Sequence, residues 1–110
     1  MSRYARGADF ERRVKKDLEV HGYLAVRSAG SHGAVDIMAV GPDSILLIQC
    51  KLKGVISPAD RAELVALAEK YDAEAVLCLR ESGAICYRVY SKPTAEWEPW
   101  TLTSLLATSS

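Results

Sequence analysis

The sequence lacks several features that mark common classes of protein. Its three cysteines, Cys50, Cys78 and Cys86, show none of the close pairings of zinc knuckles or redox motifs, and an odd number does not suit a disulfide framework. No stretch approaches the roughly 18 consecutive apolar residues of a membrane span. Arg3 and Arg6 stand where a signal peptide would have an apolar run. We therefore expect free thiols in a soluble, cytoplasmic protein without a membrane partner, or in the host cytoplasm if the source is viral.

The sequence also lacks net charge, because 14 basic residues balance 14 acidic ones. A nucleic-acid partner usually leaves a basic footprint, so this balance at first argues against one. The two signs are nevertheless unevenly distributed, since residues 1–61 hold ten Lys or Arg against seven Asp or Glu. A basic first half is compatible with a DNA-binding face and also with an ordinary solvated surface.

The apolar pattern predicts two helices. An apolar residue recurs at every fourth position from Phe10 to Leu18, which is typical of an amphipathic helix over residues 4–20. Ser57 and the proline after it are typical of a helix start, with serine as N-cap and proline in the first helical position. The second helix is therefore predicted to run from this point to about Tyr71.

Five strands are predicted from apolar runs and turn signals. They cover residues 23–28, 35–40, 45–52, 75–79 and 85–90. The turn-forming residues 41–44 join two of them into an antiparallel hairpin. The order α-β-β-β-α-β-β predicts one α/β domain over residues 1–110. Trp97, Trp100 and the apolar residues 102–106 form a tail for which no shape is predicted.

Three polar residues converge at one end of the predicted hairpin. Asp36 lies near the start of one strand, and Gln49 and Lys51 lie at the polar end of the next. Gln49 and Lys51 share a face because side chains two apart in a strand point the same way, whereas Ile48 and Cys50 face the other side. Closing the hairpin brings a carboxylate, an amide oxygen and an ammonium group into one small site.

Such a set of groups suits metal-dependent phosphodiester hydrolysis. Magnesium prefers hard oxygen ligands and keeps several waters, so one or two carboxylates and a neutral oxygen suffice. A bound cation activates water, and a lysine stabilises the charge that develops on the phosphate. Glu11, at the edge of the first helix's apolar stripe, is a further candidate ligand. Taken singly, such residues are more often ordinary surface charges, and only their convergence favours a site.

The same residues resemble a known signature. An Asp followed by Glu-x-Lys marks the restriction-endonuclease-like nuclease superfamily, and within it the chain most resembles archaeal Holliday-junction resolvases. The resemblance covers roughly the first half, at Gly7, Phe10-Glu11-Arg12, Gly22-Tyr23, residues 25–28, 30–33 and 35–37, and Ile48-Gln49-Cys50-Lys51. It implies a restriction-endonuclease-like fold with a mixed sheet. It also implies an Mg²⁺-dependent endonuclease, with Mn²⁺ as a substitute, that resolves four-way DNA junctions as a homodimer and uses no small-molecule cofactor.

The resemblance also assigns roles to residues. The expected metal ligands are Glu11, Asp36, Gln49 and the backbone carbonyl of Cys50. The expected catalytic residues are Glu11, Asp36, Gln49, Lys51 and Ser31, with the lysine stabilising charge and the serine near the scissile strand. The expected DNA contacts are Arg12, Arg27, Ser31, His32 and Lys53.

One position departs from the family pattern, because Gln49 stands where these resolvases carry glutamate. A glutamine oxygen still coordinates magnesium, so we expect weaker metal affinity and retained activity. One alternative is a catalytically degenerate module that only binds DNA. Another is a general nuclease, or a restriction or repair endonuclease, although 110 residues leave no room for a separate sequence-reading domain.

The expected homodimer has one further sequence indication. The C-terminal region is rich in aromatic residues, which suit a subunit interface: Tyr87, Tyr90, Trp97 and Trp100. Packing of these side chains into the subunit's own core is the alternative.

Overall fold

The structure, a computed structural model, describes residues 3–28, 33–53 and 55–102, with side chains from residue 7 onward. These residues form two helices, α1 Arg3–Val20 and α2 Pro58–Lys70. Within the same ranges there are six strands, β1 Leu24–Arg27, β2 Ile37–Val40, β3 Ile45–Lys51, β4 Glu74–Glu81, β5 Ala84–Ser91 and β6 Glu96–Trp100. The predicted elements are all found, with ends that differ by one or two residues. Within these described residues, neither helix is long and apolar enough to cross a membrane.

The second helix begins as the sequence predicts. Ser57 is the N-cap, and its Oγ accepts a hydrogen bond of 3.1 Å from the backbone N–H of Asp60. This bond satisfies one of the backbone donors that a helix start leaves unpaired. Pro58 takes the first helical position, and Tyr71 caps the C-terminal end.

The six strands form one mixed sheet in the order β1-β2-β3-β4-β5-β6. The predicted hairpin joins β2 and β3, with Ile37 opposite Ile48, and the backbone N–H of Gly41 donates to Ser44 O at 2.8 Å in its turn. Strands β3 and β4 are parallel, whereas the other neighbours are antiparallel. Helix α2 makes the crossover that a parallel pair requires.

The helices cover opposite faces of the sheet. Helix α1 packs against a face that includes Leu46 and Ile48, while α2 packs against a face that includes Leu47 and Leu77. Successive β3 residues alternate between these faces, as strand geometry requires. Because both faces are covered, β3 is apolar through most of its length, and its first polar residue, Gln49, comes just before the strand becomes partly exposed at Cys50.

The predicted element order omits β6, which follows a turn with Ala95 at a φ of 56°. Its sequence, with glutamates and Pro99, carries a weak strand signal. Proline is tolerated because β6 lies at the sheet edge. Trp97 pairs across the ladder with Tyr90.

The C-terminal aromatic residues pack within the subunit. Tyr87 is buried, and its ring meets Trp100 edge to face with centroids 6.2 Å apart. Tyr90 and Trp97 make a similar pair at 5.4 Å on the other face. Tyr87 is therefore a core residue, whereas Tyr90, Trp97 and Trp100 are half-buried beside the core.

Leu18 on α1 should be much more important for stability than Val20 on the same helix. Leu18 is fully buried, whereas Val20 is 59% exposed. We expect Leu18→Ala to lower the free energy of unfolding by about 2–5 kcal/mol, because it removes buried contacts and leaves a cavity. Val20→Ala should cost less than about 1 kcal/mol. Urea denaturation of both variants measures this, and equal losses would contradict the assigned core.

Candidate active site

The hairpin brings Asp36 beside the polar end of β3. The backbone N–H of Asp36 donates to Ile48 O at 2.8 Å, which continues the ladder one residue before β2. The Asp36 side chain then accepts a second bond, since the backbone N–H of Cys50 donates to Oδ2 at 2.8 Å. These two bonds fix the carboxylate next to Gln49. The predicted convergence of Asp36 and Gln49 is confirmed.

Gln49 is 5% exposed and is the buried polar residue of the described core. Its Nε2 donates a hydrogen bond of 3.2 Å to Oδ2 of Asp60 on α2. Its Oε1 is buried and, among the residues that the structure describes, has no hydrogen-bond partner. A buried acceptor without a partner costs about 1–3 kcal/mol. A cation coordinated by this oxygen would remove that cost.

Glu11 reaches the site from α1. Its Oε1 accepts hydrogen bonds from Nε and Nη2 of Arg27 on β1, at 3.3 and 3.2 Å. Both side chains are partly buried, so the pair holds Glu11 against the sheet. Both bonds fall on one carboxylate oxygen, and the pair thus leaves Oε2 of Glu11 for another cation.

Burial and neighbouring charges shift the pKa of the Asp36 carboxyl group. Burial raises the pKa of Asp36 from 3.8 to about 6, although the Cys50 N–H bond acts in the opposite direction. The negative charges of Glu11 and Asp60 raise this pKa further, and the positive charge of Lys51 lowers it. Glu11 and Asp60 therefore each lie close enough to Asp36 to repel its ionised carboxylate, and a bound cation would offset this repulsion.

A cleft of about 420 Å³ opens beside these groups on the α1 side. Glu11 and the four residues from Cys50 to Lys53 line it, together with Gly7, Phe10 and Arg80. The cleft therefore has one acidic residue and three basic ones, Lys51, Lys53 and Arg80. Arg80 did not emerge from the sequence, because a single arginine late in a strand carries no motif.

The remaining predicted residues lie apart from this cluster or outside the described ranges. Arg12 is exposed and pairs with Asp9 on the same helix at 2.9 Å. Ser31 and His32 fall outside the described residues. The N–H of Cys50 is used by Asp36, and the proposed role of its carbonyl stays a prediction.

Asp60 is the residue of the cluster that sequence reasoning missed. It belongs to the Ser57 to Asp60 segment, whose pattern indicates only a helix start. The sequence feature that could have indicated Asp60 is its position in the first turn of α2, the helix that follows β3. An acidic residue in the first turn also interacts favourably with the helix dipole, so the pattern alone does not indicate an active-site residue.

The donor set suits a hard divalent cation. In the part of the chain that the structure describes, no three His, Cys, Asp or Glu side chains group closely enough to hold a metal ion by themselves. The buried Oε1 of Gln49 beside Asp36 supplies a neutral oxygen in addition to carboxylates. Magnesium accepts such a mixture and retains waters at its other positions. The residues present therefore fit a magnesium site.

Comparison with known proteins decides the family. The sequence profile of the archaeal Holliday junction resolvase (hjc) family matches residues 2–97. The chain belongs to this family. The resemblance found in the first half of the sequence is thus confirmed and extends into the second half.

Two relatives show the extent of the likeness. The crossover junction endodeoxyribonuclease Hjc of Methanocaldococcus jannaschii is 32% identical over an alignment of 89 residues, and the match covers 77% of this chain and 66% of that protein. The chain therefore spans slightly less than two thirds of this relative. The structure of Archaeoglobus fulgidus Hjc, a Holliday junction resolvase, superposes with a TM-score of 0.65 at 30% identity, over 76% of this chain and 70% of that one. The predicted α/β fold is confirmed by this match.

Asp36→Asn should stabilise the metal-free protein at about pH 8, by on the order of 1–2 kcal/mol. The folded-state pKa of about 6 exceeds the ordinary value of 3.8. This carboxyl group therefore favours folding below the lower value, and the contribution is lost as the pH rises through the higher one. Asparagine retains an acceptor for the Cys50 N–H.

Urea denaturation with a chelator at about pH 8 and about pH 4 tests this, since the gain should largely disappear at the lower pH. The control is Asp43→Asn, which changes an exposed acid in the β2–β3 turn and should alter the free energy of unfolding by less than about 0.5 kcal/mol. An equal gain at both pH values would contradict the raised pKa.

Proposed function

We propose that this protein is a structure-selective endonuclease that resolves four-way DNA junctions by paired, metal-dependent phosphodiester hydrolysis. The observation that carries the proposal is the buried Oε1 of Gln49, which lies beside Asp36 at the strand end that also carries Lys51 and has no hydrogen-bond partner among the described residues. Family membership supports it, as do the two relatives, whose names describe a crossover junction endodeoxyribonuclease and a Holliday junction resolvase.

The residues that would hold Mg²⁺ are Asp36, Gln49 through Oε1, Glu11 and the carbonyl of Cys50, and Mn²⁺ should substitute. When bound, the cation lowers the pKa of a water molecule and polarises the phosphate. Asp36 is kept in place by the Cys50 N–H, and Arg27 holds Glu11 against the sheet. Lys51 neutralises charge on the reacting phosphate.

The basic residues of the cleft supply a path for the DNA backbone. Lys53 and Arg80 line it beside Lys51, so phosphates can approach the site without a separate binding domain. Arg12 pairs with an exposed Asp9, and such a pair contributes little stability. Arg12 therefore exchanges this partner for a phosphate at low cost. Ser31 and His32 remain candidate contacts near the scissile strand.

An apolar surface supports assembly as a homodimer. Leu24 and Val26 on β1 are 67% and 49% exposed, and Met38, directly across the ladder from Val26, is 41% exposed. Contiguous exposed apolar side chains are typical of protein contacts. A two-fold axis through such a surface would fix the separation of two active sites.

The cysteines support a cytoplasmic location. Cys50 and Cys78 are register partners on adjacent parallel strands, and both are free, as is Cys86. Free thiols are usual in a reducing compartment.

Two substitutions test the site directly. Asp36→Asn should abolish cleavage and leave junction binding largely intact, because it removes a ligand and not the basic cleft. Lys51→Ala should slow cleavage about 10²-fold or more, as loss of a preorganised charge does. Cleavage of a labelled junction at saturating protein, with binding followed by gel shift, measures both effects. Undiminished cutting by Asp36→Asn would contradict the assigned site.

Symmetry distinguishes a resolvase from a general nuclease. A two-fold dimer should introduce paired nicks at equivalent positions of a four-way junction and cut linear duplex far more slowly. A mixed dimer with one Asp36→Asn subunit should nick one strand per binding event. Parallel digests of junction, duplex and single strand with Mg²⁺, together with sedimentation, measure this. If the protein is a monomer that cuts linear duplex as fast as junction, a general nuclease is favoured. If it binds DNA without metal and does not cut it, the non-catalytic DNA-binding module is favoured.

A further inference from the structure

Gln49 and Asp60 form a pair that is not explained by the fold alone. Nε2 of Gln49 donates to Oδ2 of Asp60 at 3.2 Å, across the gap between β3 and the first turn of α2. Asp60 is partly buried, whereas Ser57, Pro58 and Ala59 are exposed. The Asp60 side chain therefore faces the sheet, unlike the residues that begin the helix.

We propose that Asp60 is a positioning residue of the metal site, which orients the Gln49 amide and supplies the negative charge that a glutamate at position 49 would carry. This inference rests on the proposed function. It assigns the site a component on α2 in addition to those on α1 and the hairpin.

The orientation follows from hydrogen-bond chemistry. An ionised carboxylate only accepts hydrogen bonds, so the amide must turn its NH₂ group to Asp60. The carbonyl oxygen of the same planar amide then points the other way, and there Oε1 is buried without a partner in the described part of the chain. Without Asp60, the amide is free to present NH₂ to the cation, which would repel it. Asp60 thus selects the orientation in which Gln49 acts as a ligand.

The charge balance supports the same role. A glutamine in place of glutamate removes one negative charge from the metal ligands, and cation affinity depends on that charge. The carboxylate of Asp60, which accepts a hydrogen bond from Gln49, supplies this negative charge instead. Its charge lies close to the site, because Oδ2 of Asp60 is 3.2 Å from Nε2 of Gln49. The Gln49–Asp60 pair therefore has the net charge of a single glutamate.

An ordinary role for Asp60 predicts different behaviour. An acid in the first turn stabilises a helix through its dipole, and the bond from its backbone N–H to Ser57 Oγ caps α2. The capping bond uses the backbone and survives substitution of the side chain. A helix-dipole role would change only folding stability, whereas a positioning role changes the affinity for the cation.

The experiment compares cation affinity in two backgrounds. Mn²⁺ and Mg²⁺ are titrated into the full chain without DNA by isothermal calorimetry, with Mn²⁺ binding also followed by electron paramagnetic resonance. In the native background, Asp60→Asn should weaken binding about tenfold, as is typical when a group that orients a ligand is removed. In the Gln49→Glu background, Asp60→Asn should cause no loss, because the introduced carboxylate carries its own charge and accepts a bond from the asparagine amide.

The control is Glu69→Gln, which removes an exposed charge from the other end of α2 and should leave affinity within about twofold of the native value. Melting temperatures without metal show whether each variant folds. If Asp60→Asn does not fold, Asp60→Ala repeats the comparison with a strong helix former.

The outcomes separate this inference from the proposed function. No loss of affinity in Asp60→Asn, or an equal loss in both backgrounds, would overturn the positioning role while the nuclease proposal stands. A native chain that binds neither cation would overturn the nuclease proposal itself. Loss in the native background and none in the Gln49→Glu background supports Asp60 acting through Gln49.

Discussion

The backbone N–H of Cys50 donates a 2.8 Å hydrogen bond to Oδ2 of Asp36, and so ties this carboxylate to the strand that carries Gln49 and Lys51. The bond continues the β2–β3 ladder past its last backbone pair, which means that the hairpin register and the site geometry are set together. A slip of one residue would turn Gln49 to the α1 face. Such a slip is disfavoured because it would bury the glutamine amide among the apolar side chains on the α1 face.

The same placement leaves the site electrostatically incomplete. Asp36 is half-buried near Glu11 and Asp60, and its pKa of about 6 reflects a carboxylate that the protein alone does not fully stabilise. The buried oxygen of Gln49, which has no hydrogen-bond partner among the described residues, is a second polar group that the protein leaves unsatisfied. Both are features of a site arranged for a cation, because the cation neutralises the repulsion and coordinates the oxygen at once. These unsatisfied groups lower the folding stability of the metal-free protein, and they lie at the proposed active site.

Local pattern was enough to predict the part of the site that the hairpin builds. The turn at 41–44 and the alternation of β3 fix the relation of Asp36 to Gln49, and both are encoded within sixteen residues. The contact with Asp60 was not predictable in this way, because it depends on how α2 packs across the sheet. Strand β6 was not predicted for another reason. It lies at the sheet edge, where a strand needs fewer strand-forming residues, so its sequence pattern is weaker than that of the inner strands.

A glutamine at position 49 changes which element of the fold carries the negative charge of the proposed metal site. A glutamate there would complete the site within the hairpin, whose geometry is set by backbone hydrogen bonds. With Asp60 in the positioning role, the missing charge is held by α2, whose place depends on the packing of Leu64 and Ala68 against the sheet. Cation binding and the docking of α2 are then coupled, because each is more favourable when the other is in place. The Gln49–Asp60 pair therefore links the chemistry of the site to the core on the α2 face.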